Sequence, residues 1–288
     1  MRPGDAVLLP AGVCDVRVTA WRGAQAREQA DWLADEVPVA LVFNGISHAV
    51  MLASPADLDD FALGFGITEG LLADAGELYG VETCETPAGI ELHLTVAAAC
   101  EWRLRQRRRN LAGRTGCGLC GTDSLGQVRR ELPRAPARRL APQALARAQR
   151  ELRLSQGVQQ LTGATHAAAW CALDGAVALV REDIGRHNAL DKLVGALIRA
   201  GTAVADGFIC ITSRASFEMV QKTALAGVGA LAAVSAPTAL AVETARQCGV
   251  ALAGFVRGDD LVVYTYPERF GFQGDATGAF GTRPDDGH

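Results

Sequence analysis

Apolar and polar positions follow two rhythms along this chain, and the change between them divides it. From about residue 32 to 100, short alternating runs dominate. "VPVALVFNGISHAVMLAS" (37–54) reads as two strands joined at Asn44-Gly45, a dipeptide suited to a tight hairpin turn. "SPADLDDFALGFGITEGLL" (54–72) reads as an amphipathic helix with Ser54 as its cap and Pro55 in its first turn. "GIELHLTVA" (89–97) is a further strand.

After Pro142 the pattern becomes regular. A helix over 143–155 precedes two strand-like runs, "HAAAWCAL" and "AVALVRED", around Asp174-Gly175. "NALDKLVGALIRAG" (188–201) puts Leu190, Leu193, Val194, Leu197 and Ile198 on one helical face. A strand (207–213), a helix (215–227), a strand (230–236), a helix (238–249) and strands over 250–258 and 261–267 follow. Strands alternating with helices of this length predict a three-layer α/β domain with a largely parallel sheet. The expected organisation is an α+β N-terminal domain over 1–103, an Arg/Gly/Pro-rich connector over 104–142, the αβα domain over 143–268, and a disordered Gly/Asp-rich tail over 269–288.

Composition narrows the class. With 288 residues, 49% of them hydrophobic, the chain can bury a sizeable core. A net charge of −4 gives no overall attraction to nucleic acid or membrane. Arginines crowd the middle, from "EWRLRQRRRN" (101–110) to "ARRL" (137–140), as a solvated face or as a surface for an anionic partner. The uncharged run Ala224–Val242 is too rich in Ala and Gly, and too broken by "SAP", to span a bilayer; a buried strand between helix segments is expected. No export signal is evident at the N-terminus, so a cytoplasmic location and reduced cysteines are expected. Of eight cysteines, six read as small packing residues, and Cys117 and Cys120 alone have chemical spacing.

Polar motifs recur where the predicted strands end. "REDIGRHN" (181–188), "SRAS" (213–216), "SAPT" (235–238) and "RGDD" (257–260) each follow a strand. Ligands of α/β sheets bind beyond strand carboxyl ends, and helix starts leave N–H groups for phosphate. Arg186, Arg214 and Arg257 add bidentate anion donors, with Ser213 and Ser235 beside them. The only two lysines, Lys192 and Lys222, lie in helices after two of these ends. Asp183 and His187 suit an acid–base pair, or a histidine holding a turn; His166 is open in the same way.

"RTGCGLCG" (114–121) carries the CxxC. A zinc site lacks a second ligand pair, and a thioredoxin-type motif lacks its strand-to-helix setting. A glycine-rich loop with Arg114 favouring thiolate suits a third role, carrying sulfur between proteins.

Here the chain resembles the formate dehydrogenase accessory sulfurtransferase (FdhD) family. The likeness rests on "EDIGRHNALDKLVGAL", "TSRASFEMVQKTA", "SAPTALAVETA", "GFVRGDDLVVYT", "VFNGISHAVMLASPADLDDFALGFGITEG" and the CxxC loop, over roughly 30–268. It implies a C-terminal domain like the cytidine deaminase fold. It also implies persulfide sulfur taken from a cysteine desulfurase by Cys117, with Cys120 beside it, and passed to molybdenum bis-(molybdopterin guanine dinucleotide). That cofactor then enters formate dehydrogenase; it is bound transiently, with none permanently held and no metal site. "FVRGDD" (Phe255, Val256, Arg257, Gly258, Asp259 and Asp260) matches the family's cofactor-binding stretch, and Asp183 or Asp259 is expected to meet a guanine edge. A homodimer is implied, without nucleic acid or membrane. Deaminase chemistry is excluded: Ala168 stands where H-x-E needs glutamate, and no PCxxC follows. A cofactor or apo-enzyme chaperone is the alternative, with Cys117→Ala as the discriminator.

Overall fold

The computed structural model describes residues 9–112 and 131–272. It opens with a hairpin that the pattern did not announce: β1 (Val13–Arg22) and β2 (Gln25–Ala34) pair antiparallel over their full length. Neither strand contains a buried residue, so neither face carries the apolar alternation that marks a strand.

The next sheet has the order β4-β3-β6-β5, built from β3 (Val37–Phe43), β4 (Ile46–Ala53), β5 (Leu78–Thr86) and β6 (Gly89–Val96). Asn44 and Gly45 turn between β3 and β4 with φ of 45° and 77°, the left-handed pair that a two-residue hairpin requires. Helix α1 spans Leu58–Thr68, starting later than Ser54. Ser54 is drawn away from a capping role by contacts described below, and Asp57, at φ 54°, precedes the helix instead. Val39, Leu41, Phe43, Phe61, Leu92 and Leu94 fill the core between α1 and the sheet.

Helix α2 (Ala98–Ala112) occupies the start of the expected connector. Cys100 and Leu104 anchor it, each fully buried. Residues 131–141 then run without helix or strand, held by Ala135 N–H to the Cys248 carbonyl and Leu140 N–H to that of Arg269, both 2.8 Å.

The second unit is three-layered. Its sheet has the order β12-β11-β10-β9-β7-β8, from β7 (His166–Ala172), β8 (Val177–Asp183), β9 (Gly207–Ile211), β10 (Ala230–Ala233), β11 (Ala251–Arg257) and β12 (Asp260–Val263). Only β9-β10 and β10-β11 are parallel; β7-β8, β7-β9 and β11-β12 are antiparallel. The sheet is therefore mixed, contrary to expectation, because the Asp174-Gly175 turn folds β8 back beside β7 before the crossovers begin. Helices α3 (Pro142–Ser155) and α4 (Gly157–Thr162) precede the sheet in sequence. Helices α5 (Arg186–Arg199), α6 (Phe217–Leu225) and α7 (Ala239–Cys248) cover one face, packing Leu190, Leu193, Met219 and Val242 on Ile209, Ile211 and Leu252. The other face presents Ala167, Ala169, Ala230, Ala232, Ala251 and Ala253, a shallow surface on which α3 lays Leu145 and Leu152.

The uncharged run 224–242 resolves into the end of α6, β10 and the start of α7. Among the described residues no helix is long and apolar enough to cross a membrane. Order reaches past 268: Pro267–Phe270 forms a 3-10 turn and Phe270 is buried; the expected tail from 273 onward lies outside the described residues. Cys100, Cys171, Cys210 and Cys248 are buried as packing residues, but Cys14 is exposed and Cys84 half-buried.

Candidate functional site

Sheet direction decides where the polar motifs meet. Strand β8 runs antiparallel to β7, and β7 antiparallel to β9, so β8, β9, β10 and β11 point the same way. Their carboxyl ends, with the first residue of β7, form one edge. That edge carries His166, Asp183, Arg186, His187, Ser213, Arg214, Ser235 and Arg257. Two of its loops are zipped together: Ala215 N–H donates to the Ala236 carbonyl at 3.2 Å and Thr238 N–H to the Ala215 carbonyl at 3.1 Å.

Asp183 does not face a ligand. It is fully buried and accepts four bonds: Ser54 N–H (3.0 Å), Lys192 Nζ (2.6 Å), Gly185 N–H (2.8 Å) and Asn188 Nδ2 (3.0 Å). Lys192, also fully buried, donates to the Ser54 carbonyl at 2.9 Å as well. Lys222 is buried and bridges Asp191 (2.9 Å), Glu69 (2.9 Å) and Thr68 Oγ1 (2.9 Å). These three residues, expected at a cofactor, instead clasp the N-terminal sheet unit to the second one. A lone buried charge is costly, and removing one partner of such a pair typically costs about 3–5 kcal/mol. Each of these side chains is buried in a paired clasp, which takes up its hydrogen bonds inside the fold. A third clasp joins Asp60 to Arg181 (2.7 Å) and Arg199 (2.9 Å).

What remains at the edge is basic and incompletely bonded. Among the described residues, the buried side-chain N and O atoms without any partner are Arg186 Nε and Ser216 Oγ; the buried His187 Nε2 meets only the Glu218 carboxylate. Arg186 and His187 open α5, and Ser216 precedes α6. His187 Nε2 lies 2.5 Å from Glu218 Oε2, an ionic contact when the ring is protonated. Glu218 is held below the usual carboxylate range, first by His187 and then by the nearby Lys222 and Arg186. His166 is pushed below the ordinary imidazole value, first by burial and then by the positive charges of Arg186 and His187. Asp183 acts on the same imidazole in the opposite sense. Unsatisfied buried donors beside Arg186 and Arg214 suit an anionic, oxygen-rich ligand.

Thr238 shows why Ser216 stands out. Both are hydroxyls at the position before a helix, but Thr238 Oγ1 accepts from Ala241 N–H at 3.2 Å, whereas Ser216 makes no cap bond. Ser216 was visible in the sequence as the last residue of the strand-end motif "SRAS", and nothing in the spacing pointed to Glu218 or to a Ser54 contact across the units.

The "FVRGDD" segment divides. Phe255 is 39% exposed at φ 52°, a left-handed conformation that is rare for a bulky residue and marks a functional or strained position. Arg257 lies over its ring at 5.9 Å and donates to the Val234 carbonyl at 3.2 Å. Val256 is fully buried against the α3 side and offers a ligand no side chain, contrary to expectation. Gly258 (φ 59°) makes the turn into β12, which Asp260 begins. Asp259 is exposed and pairs with Arg150 at 3.1 Å. Ser213 is buried with Oγ on the Arg214 carbonyl (3.0 Å), Arg214 is exposed, and the Ser235 carbonyl accepts from Phe255 N–H at 3.2 Å.

Cys117 and Cys120 lie outside the described residues. Three of the four buried thiols are poor substitutes for them: burial pushes Cys210 up to about 12 and Cys171 and Cys248 upward as well, which disfavours their thiolates.

Residues 34–271 match the model of the FdhD/NarQ family. A relative from Variovorax paradoxus (strain S110), named sulfur carrier protein FdhD, is 59% identical over 270 residues, 93% of this chain and 95% of its own. One from Cupriavidus necator, with the same name, is 56% identical over 255 residues, 88% of each chain. A solved structure from Desulfotalea psychrophila, described as a candidate formate dehydrogenase accessory protein, superposes with a TM-score of 0.72 at 21% identity. It covers 89% of this chain and 98% of its own, a shared fold.

Proposed function

Because the chain belongs to the FdhD/NarQ family, we propose that it is a sulfur carrier that loads a molybdenum cofactor for formate dehydrogenase. The observation that carries this reading is the glycine-flanked CxxC at 117–120, in a chain 59% identical to a named sulfur carrier.

The thiolate of Cys117 attacks the outer sulfur of a cysteine persulfide on a cysteine desulfurase. A new S–S bond forms at Cys117 as the donor's S–S bond breaks, and the donor leaves as a thiolate that takes up the proton. No net oxidation occurs. Cys120 relays the sulfur, taking it from Cys117 by the same exchange.

The substrate of the transfer is molybdenum bis-(molybdopterin guanine dinucleotide), whose phosphates suit the strand-end edge. Arg186 and Ser216, each with an unbonded buried atom, would meet phosphate oxygens. Arg214 and Arg257 would add charge, and the exposed Phe255 ring offers a face to a nucleobase. Acting between two enzymes, the protein is a sulfurtransferase of the cytoplasm, working as a homodimer. Guanosine diphosphate, one end of the cofactor, serves as probe. Arg186→Ala is expected to weaken its binding about 10–100-fold, the loss of one charge-assisted bond. Cys117→Ala is expected to bind it normally yet fail to restore formate dehydrogenase activity to a strain lacking the protein. Restored activity would favour chaperoning without sulfur transfer.

A further inference from the structure

Helix α2 satisfies its core with Cys100 and Leu104, both fully buried, yet shows Trp102 to solvent at 63%. The neighbouring Arg103 is fixed by Glu77 and by the Leu71 carbonyl (2.9 Å). Two residues beyond Glu77, Tyr79 is 67% exposed. Trp102 is thus the chain neighbour of Arg103, and Tyr79 lies two positions from Glu77, the two ends of one buttressed pair. Tyr79 also rims a cleft of about 330 Å³ lined by Leu63, Leu78, Val81 and Ile198, with Asp59 and Arg199 at its charged part. Arg105, on the turn after Trp102, keeps 60% of its side chain exposed while paired to Glu101. The helix continues through Arg107, Arg108 and Arg109, three further positive charges in the sequence. Exposed Trp, Tyr and Arg gathered around one buttressed ion pair are the composition of binding hot spots rather than of a solvated helix face.

The position of this surface names its occupant. Helix α2 ends at Ala112, and Cys117 is five residues further on. Five residues reach at most about 18 Å. A protein that brings its persulfide into bonding distance of Cys117 must therefore sit within that radius of the helix end, and a standard interface covers about 800 Å² on each partner. From the far side, Cys120 is eleven residues from Glu131, a much looser tether.

We propose that the outer face of α2, with Trp102 and Arg105, and the Tyr79 cleft are the docking surface of the protein that loads Cys117. This rests on the sulfur-carrier reading. The partner's chemistry follows from the surface: an acidic patch around its persulfide cysteine, with an apolar side chain to enter the cleft. Its arginine-facing carboxylates steer encounter, so docking weakens as salt rises.

The test compares two sulfur sources on the full chain: a persulfide-loaded cysteine desulfurase, and glutathione persulfide, which needs no docking. Loading is followed by intact mass for wild type, Trp102→Ala and Arg105→Glu, two exposed positions whose replacement leaves the core intact. Both variants are expected to load at least tenfold more slowly than wild type from the desulfurase, and at the wild-type rate from glutathione persulfide. Wild-type rates from the desulfurase, or equal slowing with both sources, would overturn the docking surface. A wild type that loads from glutathione persulfide alone would overturn the docking partner and leave the carrier reading standing. A wild type that loads from neither would overturn the carrier reading, and this inference with it.

Discussion

His166 sits where the first residue of β7 meets Asp183 of β8 across the sheet, half-enclosed and facing the positive charges of Arg186 and His187. Burial and those cations hold its folded value below the ordinary 6.5. As pH falls through 6.5 the unfolded chain takes up the proton first. The His166 contribution is therefore whole above 6.5 and is lost as pH drops toward the folded value. His166→Gln is expected to flatten that limb of a stability profile measured by urea unfolding between about pH 7 and 5. An unchanged slope would remove His166 from the electrostatics of the edge. Individual residues were legible in uneven fashion. Arg186, Arg214, Arg257 and His187 declared themselves as polar residues at strand ends, and the structure gathers them on one edge. Asp183, Lys192 and Lys222 looked the same in sequence, because a buried ion pair uses the same residue types as a ligand site. Only the partners Ser54, Asp191 and Glu69, between 31 and 153 positions away, tell the two apart.

At the scale of elements, the junction of α1 and α5 depends on absent side chains. A Cβ on Gly64 would stand 1.7 Å from the Asp191 carbonyl oxygen, and one on Gly195 would stand 1.9 Å from that of Asp60. The two helix backbones touch, and each residue whose carbonyl is touched also carries a clasp, Asp191 to Lys222 and Asp60 to Arg181. Gly64→Ala or Gly195→Ala must push the helices apart and loosen both clasps. Each is expected to cost at least about 3 kcal/mol, the upper range of overpacking, in equilibrium urea unfolding; a change within 0.5 kcal/mol, about the scatter of surface substitutions, would contradict the close contact. The helices and strands after Pro142 were readable because each has a one-sided apolar stripe or a fully apolar core run. The hairpin at 13–34 was not, because it buries nothing. The parallel sheet was overestimated for another reason: alternation of strands and helices sets neighbours in sequence, not direction, and the β7–β8 hairpin lies inside the series. Ser54 was misread as a helix cap because a Ser-Pro pair looks the same whether its hydroxyl serves its own helix or, as here, the Ile184 N–H of the other unit (3.2 Å).

For the whole molecule, three clasps and the glycine contact make the N-terminal unit a fixed wall against the helices of the second unit. The proposed loading surface on α2 belongs to that wall, while the basic strand-end edge belongs to the six-stranded sheet. On that proposal, sulfur is received at one element and delivered at another, which is what a carrier between two protein partners needs. A cofactor chaperone needs only the edge. The central claim therefore turns on Cys117, and intact-protein mass measurement after incubation with a cysteine desulfurase and cysteine tests it most directly. The account predicts a reductant-labile gain of about 32 Da, one sulfur atom as expected of a persulfide, on wild type and none on Cys117→Ala. No gain on reduced, folded wild type, or the same gain on Cys117→Ala, would contradict it.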